Sequence, residues 1–172
     1  FTIVAGDTIC LTPPMGWNSW NCWACAVDDS KVRASAKAMV DSGLINHGWQ
    51  YINIDDGWQG HRGPDRAIVP NEKFPDMTAM CDYIHGLGLK AGIYSTPWAT
   101  SYAGFIGGSS DTPDGAWQKP AKRRDGWRFG KYFFEPSDVR QWADWGFDYC
   151  KYDWALDHTA LARENVAAAQ RL

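Results

Sequence analysis

The 172-residue sequence is short of several features that would have named a function class at once. No apolar run approaches the roughly 18 to 20 residues of a membrane-spanning helix, and no charged-then-apolar leader opens the chain, so no membrane partner is expected. Charge of one sign is also lacking: 17 Lys and Arg against 20 Asp and Glu give a net charge of -3. The single cationic cluster, Lys119 to Arg128, is short and interrupted by Pro120 and Gly126, which argues against nucleic acid. Five cysteines, at 10, 22, 25, 81 and 150, are an odd and scattered set rather than a disulfide framework, and at least one should be a free thiol. Cys22 and Cys25 form a C-x-x-C pair without the second ligand pair of a structural zinc site or the strand-to-helix setting of a thioredoxin motif. A loop disulfide or two packed thiols is the reading that remains. His47, His61, His85 and His158 show no metal spacing, and no strand ends in a Gly-rich phosphate loop. Neither a metal nor a cofactor is expected.

Tryptophan, by contrast, is abundant: 11 residues, within an aromatic content of 15%. Indole faces pack against the C–H faces of sugar rings as readily as they fill a core, so this surplus points only mildly to carbohydrate. With 45% hydrophobic and 22% charged residues, the chain has the composition of one globular domain.

Short β-rich runs alternate with longer helical stretches, the pattern of βαβ units around a parallel sheet. Strands are expected at Pro14–Ser19, Tyr51–Ile54, Leu89–Tyr94 and Phe147–Tyr152. Between them, Asp28-Asp29-Ser30 offers cap chemistry for a helix to about Ser42, with Gly43 as its stop. Pro75-Asp76 opens a second helix to His85, and Pro136-Ser137-Asp138 a third to Trp145, stopped by Gly146. Asp157 could cap a last, Ala-rich helix. The stretch from Pro97 to Phe134 is too long for an ordinary connection, and in a βα barrel such an excursion at a strand's C-terminal end is usually functional. The expected fold class is α/β: a (β/α)8 TIM barrel of which this chain holds about the first four units, since eight would need roughly 300 residues. Residues 1–10 read as a lead-in from an upstream region, and 11–172 as the N-terminal half of the barrel. The compartment is not readable from a chain opening at Phe1, with a secreted or periplasmic setting the expectation.

Barrel active sites lie at the C-terminal ends of the strands, where this sequence places Trp20, Asp55-Asp56, Trp58, Tyr94, Lys151 and Asp153. Adjacent carboxylates at a strand end should point to opposite sides, so Asp55 and Asp56 suit hydrogen-bond acceptors better than an acid/base dyad. By the period of two, Lys151 and Asp153 share a side, and an inward Lys151 is expected beside Asp153. A carboxylate next to a cation suits attack on an acetal carbon, and a retaining glycosidase adds a second, protonated carboxyl about 5 Å away.

The segments L-T-P-P-M-G-W-N-S-W-N from Leu11, Y-I-N-I-D-D-G-W from Tyr51, G-I-Y-S from Gly92 and K-Y-D from Lys151 resemble glycoside hydrolase family 27, which holds α-galactosidases, α-N-acetylgalactosaminidases and a few other specificities. The resemblance implies that Asp153 is the catalytic nucleophile, and that Asp55 and Asp56 bind the 4- and 6-hydroxyls of the sugar. It further implies that Lys151 binds neighbouring hydroxyls, and that Trp20 and Tyr94 wall the pocket; Trp58 is expected at the rim of its closed end. The implied activity is hydrolysis of terminal α-linked D-galactosides with retention, the acid/base residue lying beyond this chain. Related exo-glycosidases (α-N-acetylgalactosaminidase, β-L-arabinopyranosidase or isomaltodextranase-like) and a non-catalytic carbohydrate-binding half-barrel are the alternatives. Gly57 and Trp154-Ala155 stand where many eukaryotic members carry cysteines, which suggests a bacterial subgroup and a bulkier neighbourhood for the nucleophile. An open half-barrel would expose sheet edges, so a homodimer is a further expectation.

Overall fold

The computed structural model describes residues 13–153. Strand β1 (Gly16–Asn18) runs into a single helical turn, α1 (Trp20–Trp23), and then into α2 (Asp29–Asp41). The cap is the expected one: the Asp28 carboxylate accepts from the Lys31 backbone N–H at 2.9 Å, satisfying an otherwise unpaired donor of the first turn. Strand β2 (Tyr51–Asn53) follows, then a hairpin of β3 (Gln59–Arg62) and β4 (Ile68–Pro70). Helix α3 (Met77–Gly86) is capped by Asp76, which accepts from Ala79 N at 2.9 Å. Strand β5 (Lys90–Ser95) leads into the long excursion, which contains the short antiparallel pair β6 (Ser109–Ser110) and β7 (Tyr132–Phe133). Helix α4 (Glu135–Trp145) has Pro136 in its first turn and ends on Gly146 at φ 92°, a left-handed cap that a side chain would strain. Strand β8 (Tyr149–Tyr152) completes the described set; the helix expected from Asp157 lies outside the described residues.

The main sheet is wholly parallel in the order β1-β2-β5-β8, with Trp17 opposite Ile52, Ile52 opposite Ala91, and Tyr94 opposite Lys151. Successive strands therefore stay neighbours in chain order, each joined to the next by a helical crossover. A doubly wound sheet would reverse that order at a switch point; a run of βα units of a (β/α)8 barrel keeps it. The expected fold class holds.

The period of two divides the sheet into an outer face packed by helices and an inner face. Ile52, Ala91 and Ile93 point outward and are fully buried against Val32, Ala36 and Met39 of α2, Met80, Cys81 and Ile84 of α3, and Trp142 of α4. Each fully buried Ile or Met there contributes on the order of 1.5 to 3 kcal/mol. On the inner face Tyr51 and Tyr149 meet edge-on at 5.8 Å, with Gly92 between their strands. A Cβ on Gly92 would stand 1.7 Å from Asn53 Oδ1, so only glycine fits beneath these large neighbours.

The hairpin and the excursion are pinned to the same point. Arg62 makes a bidentate pair with Asp138 in the first turn of α4, at 2.8 and 3.0 Å, and also donates to Gly107 O at 2.7 Å. Both side chains are nearly inaccessible, at 2% and 1% exposure, and Asp138 further accepts from Ile68 N at 3.0 Å. This fork geometry satisfies a buried carboxylate and fixes three segments relative to one another.

Candidate active site

Backbone bonding of this strand, β2, to β5 ends with Ile54 N to Gly92 O at 2.9 Å, and the two aspartates that follow leave the sheet. Ser19, fully buried just past β1, receives the Asp55 N–H on its Oγ at 2.9 Å and donates its own N–H to Asn53 O at 3.1 Å. The ends of β1 and β2 are thereby locked together. Because the chain is no longer extended there, both Asp55 and Asp56 line the same cavity, in contrast to the opposite orientations that strand alternation predicts. Gly57 at φ 113° permits this path.

Both carboxylates are nearly inaccessible, and each of their oxygens already has a partner. Asp55 Oδ2 accepts from Lys151 Nζ at 2.7 Å, and its Oδ1 accepts from the Asp56 N–H at 2.8 Å. Asp56 accepts from Ala103 N at 2.7 Å, from Gln59 Nε2 at 3.0 Å and from the Ser101 hydroxyl. Burial raises the Asp56 carboxyl above the usual carboxylate range, the neighbouring Asp55 charge adds to this, and the three hydrogen bonds oppose it.

Tyr94, at the end of β5, is buried to 1% exposure and donates its hydroxyl to Asp153 Oδ2 at 2.9 Å. Burial, with the Asp56 and Asp153 carboxylates nearby, pushes this phenol up, so it remains a donor over the whole working range of pH. Asp153 is placed by its own N–H, which bonds to Ser95 O at 2.8 Å and prolongs the β5–β8 ladder by one residue. The expected pairing of Lys151 with Asp153 is replaced by the pairing with Asp55: the ammonium passes over the Tyr94 ring, 5.5 Å from its centroid, to reach β2's end.

These groups surround one cavity of about 580 Å³. Of the residues expected from sequence, Trp20, Asp55, Asp56, Tyr94, Lys151 and Asp153 line it together. Trp58 does not. It is fully buried, donates its indole N–H to Tyr94 O at 2.9 Å and packs edge-on against Trp145, so it supports the floor from the core side. Tyr102, from the excursion, lines the cavity although sequence reading passed it over; its only signal was an aromatic in a loop already marked as long. Cys22 and Cys25, near Trp20, are free and exposed, neither bridged nor packed away; the turn between them passes through Ala24 at φ 44°. The bulky Trp154 lies outside the described residues.

Three carboxylates, one ammonium and three aromatic rings around an opening of this size suit a neutral, polyhydroxylated ring: the carboxylates and ammonium take hydroxyls, and the rings take C–H faces. Among the described residues no cluster of three or more His, Cys, Asp or Glu is arranged to hold a metal ion. Fold and site together define the class: a (β/α)8-barrel protein with a carboxylate-lined cavity of sugar size at the strands' C-terminal ends.

Comparison with known proteins agrees and is narrower. A melibiase family model described as Alpha galactosidase A matches residues 12–127, and the chain belongs to that family. Alpha-galactosidase A of Cellvibrio japonicus is 42% identical over 150 residues, which are 86% of this chain and 31% of that protein. The crystal structure of alpha-galactosidase I from Mortierella vinacea superposes with a TM-score of 0.75 at 32% identity, over 96% of this chain and 38% of the other. The structure of the Saccharomyces cerevisiae alpha-galactosidase with raffinose gives a TM-score of 0.72 at 26% identity, over 96% and 34% of the two chains. The chain thus spans about a third of the length of the relatives it matches.

Proposed function

We propose that this chain supplies the nucleophile half of an enzyme that hydrolyses terminal α-linked D-galactosides with retention of configuration. Residues 11–172 are then the N-terminal half of the catalytic barrel and residues 1–10 a lead-in, with the acid/base carboxyl on a later strand. In this reading β1 and β8 are edges only within the present sequence, and dimerisation through them is the expected behaviour of the half-barrel by itself.

The observation that carries the reading is the convergence of Asp153, held by Tyr94, with the Asp55–Lys151 pair and Asp56 on one cavity. An Asp153 oxygen attacks the anomeric carbon as the bond to the leaving oxygen breaks, and that oxygen takes its proton from the second carboxyl. Water then attacks the anomeric carbon, the bond to Asp153 breaks, and the deprotonated second carboxyl takes the water's proton. The Tyr94 hydroxyl fixes the plane of the Asp153 carboxylate so that its other oxygen faces the sugar. Asp55 and Asp56 accept hydrogen bonds from the hydroxyls at the far end of the ring, and Lys151 donates to a neighbouring one. An axial 4-hydroxyl reaches these acceptors; the equatorial epimer does not, and forgoes a charge-assisted hydrogen bond.

The relatives named as α-galactosidases, and the raffinose bound to one of them, support galactose over the other sugars. The test is a panel of nitrophenyl glycosides on the full-length protein: α-galactoside, N-acetyl-α-galactosaminide, β-L-arabinopyranoside and α-glucoside. Preference for the α-galactoside supports the reading; preference for another member of the panel overturns it.

A further inference from the structure

We propose that the Tyr102 ring walls the Trp20 and Asp56 side of the pocket and thereby restricts the enzyme to galactosyl groups unsubstituted at carbon 6. The proposal rests on the galactoside reading above and adds the residue that enforces its exo character.

The placement follows from topology. In the order β1-β2-β5-β8, Trp20 just after β1 and Asp153 just after β8 stand at opposite ends of the four-strand arc, three strand spacings or roughly 14 Å apart. Tyr102 follows β5 in sequence, yet its ring meets Trp20 at 6.2 Å and 83°. The excursion has therefore crossed back over the end of β2, and the next residue confirms it, since Ala103 N donates to Asp56 Oδ2. The Tyr102 ring stands on the Trp20 and Asp56 side of the cavity, while its backbone hydrogen-bonds the Tyr94 hydroxyl. A galactose with its anomeric carbon at Asp153 directs its C4–C6 edge to that side.

Tyr102 is also held firmly enough to act as a wall. Its ring lies on that of Trp127 at 5.2 Å and 10°, and the Trp127 indole donates to Ser101 O at 3.1 Å. Ser101 is fully buried, and Thr100 N bonds to Gly126 O at 3.0 Å, where a Cβ would stand 2.1 Å from the Thr100 hydroxyl. The strap is thus closely packed beneath an aromatic that keeps 43% of its surface exposed at the cavity wall. A free hydroxymethyl group ends short of such a ring, whereas anything attached to O6 continues into it.

The experiment compares kcat/KM for 4-nitrophenyl α-D-galactopyranoside and its 6-O-methyl derivative on the full-length enzyme. Wild type should favour the unsubstituted sugar strongly. Tyr102→Ala should raise the relative value for the 6-O-methyl sugar about tenfold or more, the range set by accommodating one extra methyl group, while Tyr102→Phe leaves the ratio where it was. Tyr102→Val decides the same ratio should the alanine variant fail to fold. A ratio unmoved by removal of the ring, with the unsubstituted galactoside still turned over, overturns this proposal alone. If wild type does not hydrolyse the unsubstituted galactoside, the galactosidase reading falls and this proposal with it.

Discussion

Lys151 reaches past the intervening strand β5 to place its ammonium 2.7 Å from Asp55 Oδ2, joining the ends of β8 and β2 across the pocket floor. Asp55 is nearly inaccessible while the Lys151 side chain keeps 37% exposure, so the pair lies between the exposed and the buried cases. Lys151→Met should therefore destabilise the full-length protein by about 2 kcal/mol, less than the penalty for orphaning a fully buried partner. It should also lower kcat/KM for an α-galactoside by roughly 10²-fold, since a charged donor to the sugar is lost. Urea unfolding and steady-state kinetics on the same preparations check both; unchanged kinetics would remove Lys151 from the binding machinery.

Asp56→Asn keeps the shape of the side chain and removes the charge that Ala103 N, Gln59 and Ser101 orient. It should reduce kcat/KM for nitrophenyl α-galactoside about 10²-fold, and for the α-glucoside far less, because only the axial hydroxyl uses this acceptor. Equal losses on both substrates would show that Asp56 does not discriminate the epimers.

Glu135, at the first position of α4, is 4% exposed and accepts from Tyr152 OH at 2.9 Å. Burial raises its carboxyl from 4.5 to about 7. A carboxyl raised by folding contributes stability that is complete below its unfolded value and is lost as pH rises through the folded one. Between pH 5 and pH 8 this loss is on the order of 3 kcal/mol. Glu135→Gln retains an acceptor for Tyr152 and cannot ionise. Relative to wild type, the variant should gain in melting temperature on going from pH 5 to pH 8; a difference that stays constant with pH would contradict the assignment.

Elements defined by local chemistry were legible in the sequence. Asp28, Asp76 and Gly146 mark helix ends through caps that depend on a few neighbouring residues, and short β-rich runs locate the strands that begin at Tyr51 and near Lys90. The hairpin at Gln59–Arg62 and Ile68–Pro70 was not legible. Its first strand is polar and carries an irregular register between Gln59 and His61, and its second, Ile-Val-Pro, is three residues long, so neither shows alternation. At the site, the residue types and strand ends were legible, but not who pairs with whom. Lys151 and Asp153 do share a side, yet Lys151 chooses Asp55, because cross-strand register and the path of the chain after Ile54 set the distances. Trp58 shows the same limit: an indole beside two aspartates reads as a pocket wall, and the turn through Gly57 sends it into the core.

The central claim is that Asp153 forms the covalent bond to the sugar, and trapping tests it most directly. The full-length enzyme is incubated with an activated fluorinated α-galactosyl substrate that slows release of the intermediate, then digested and analysed by mass spectrometry. The account predicts one galactosyl-derived label on the peptide containing Asp153, and none in Asp153→Asn, which should still bind galactose because the amide preserves the pocket's shape. A label on any other carboxylate, or undiminished turnover by Asp153→Asn, would contradict it.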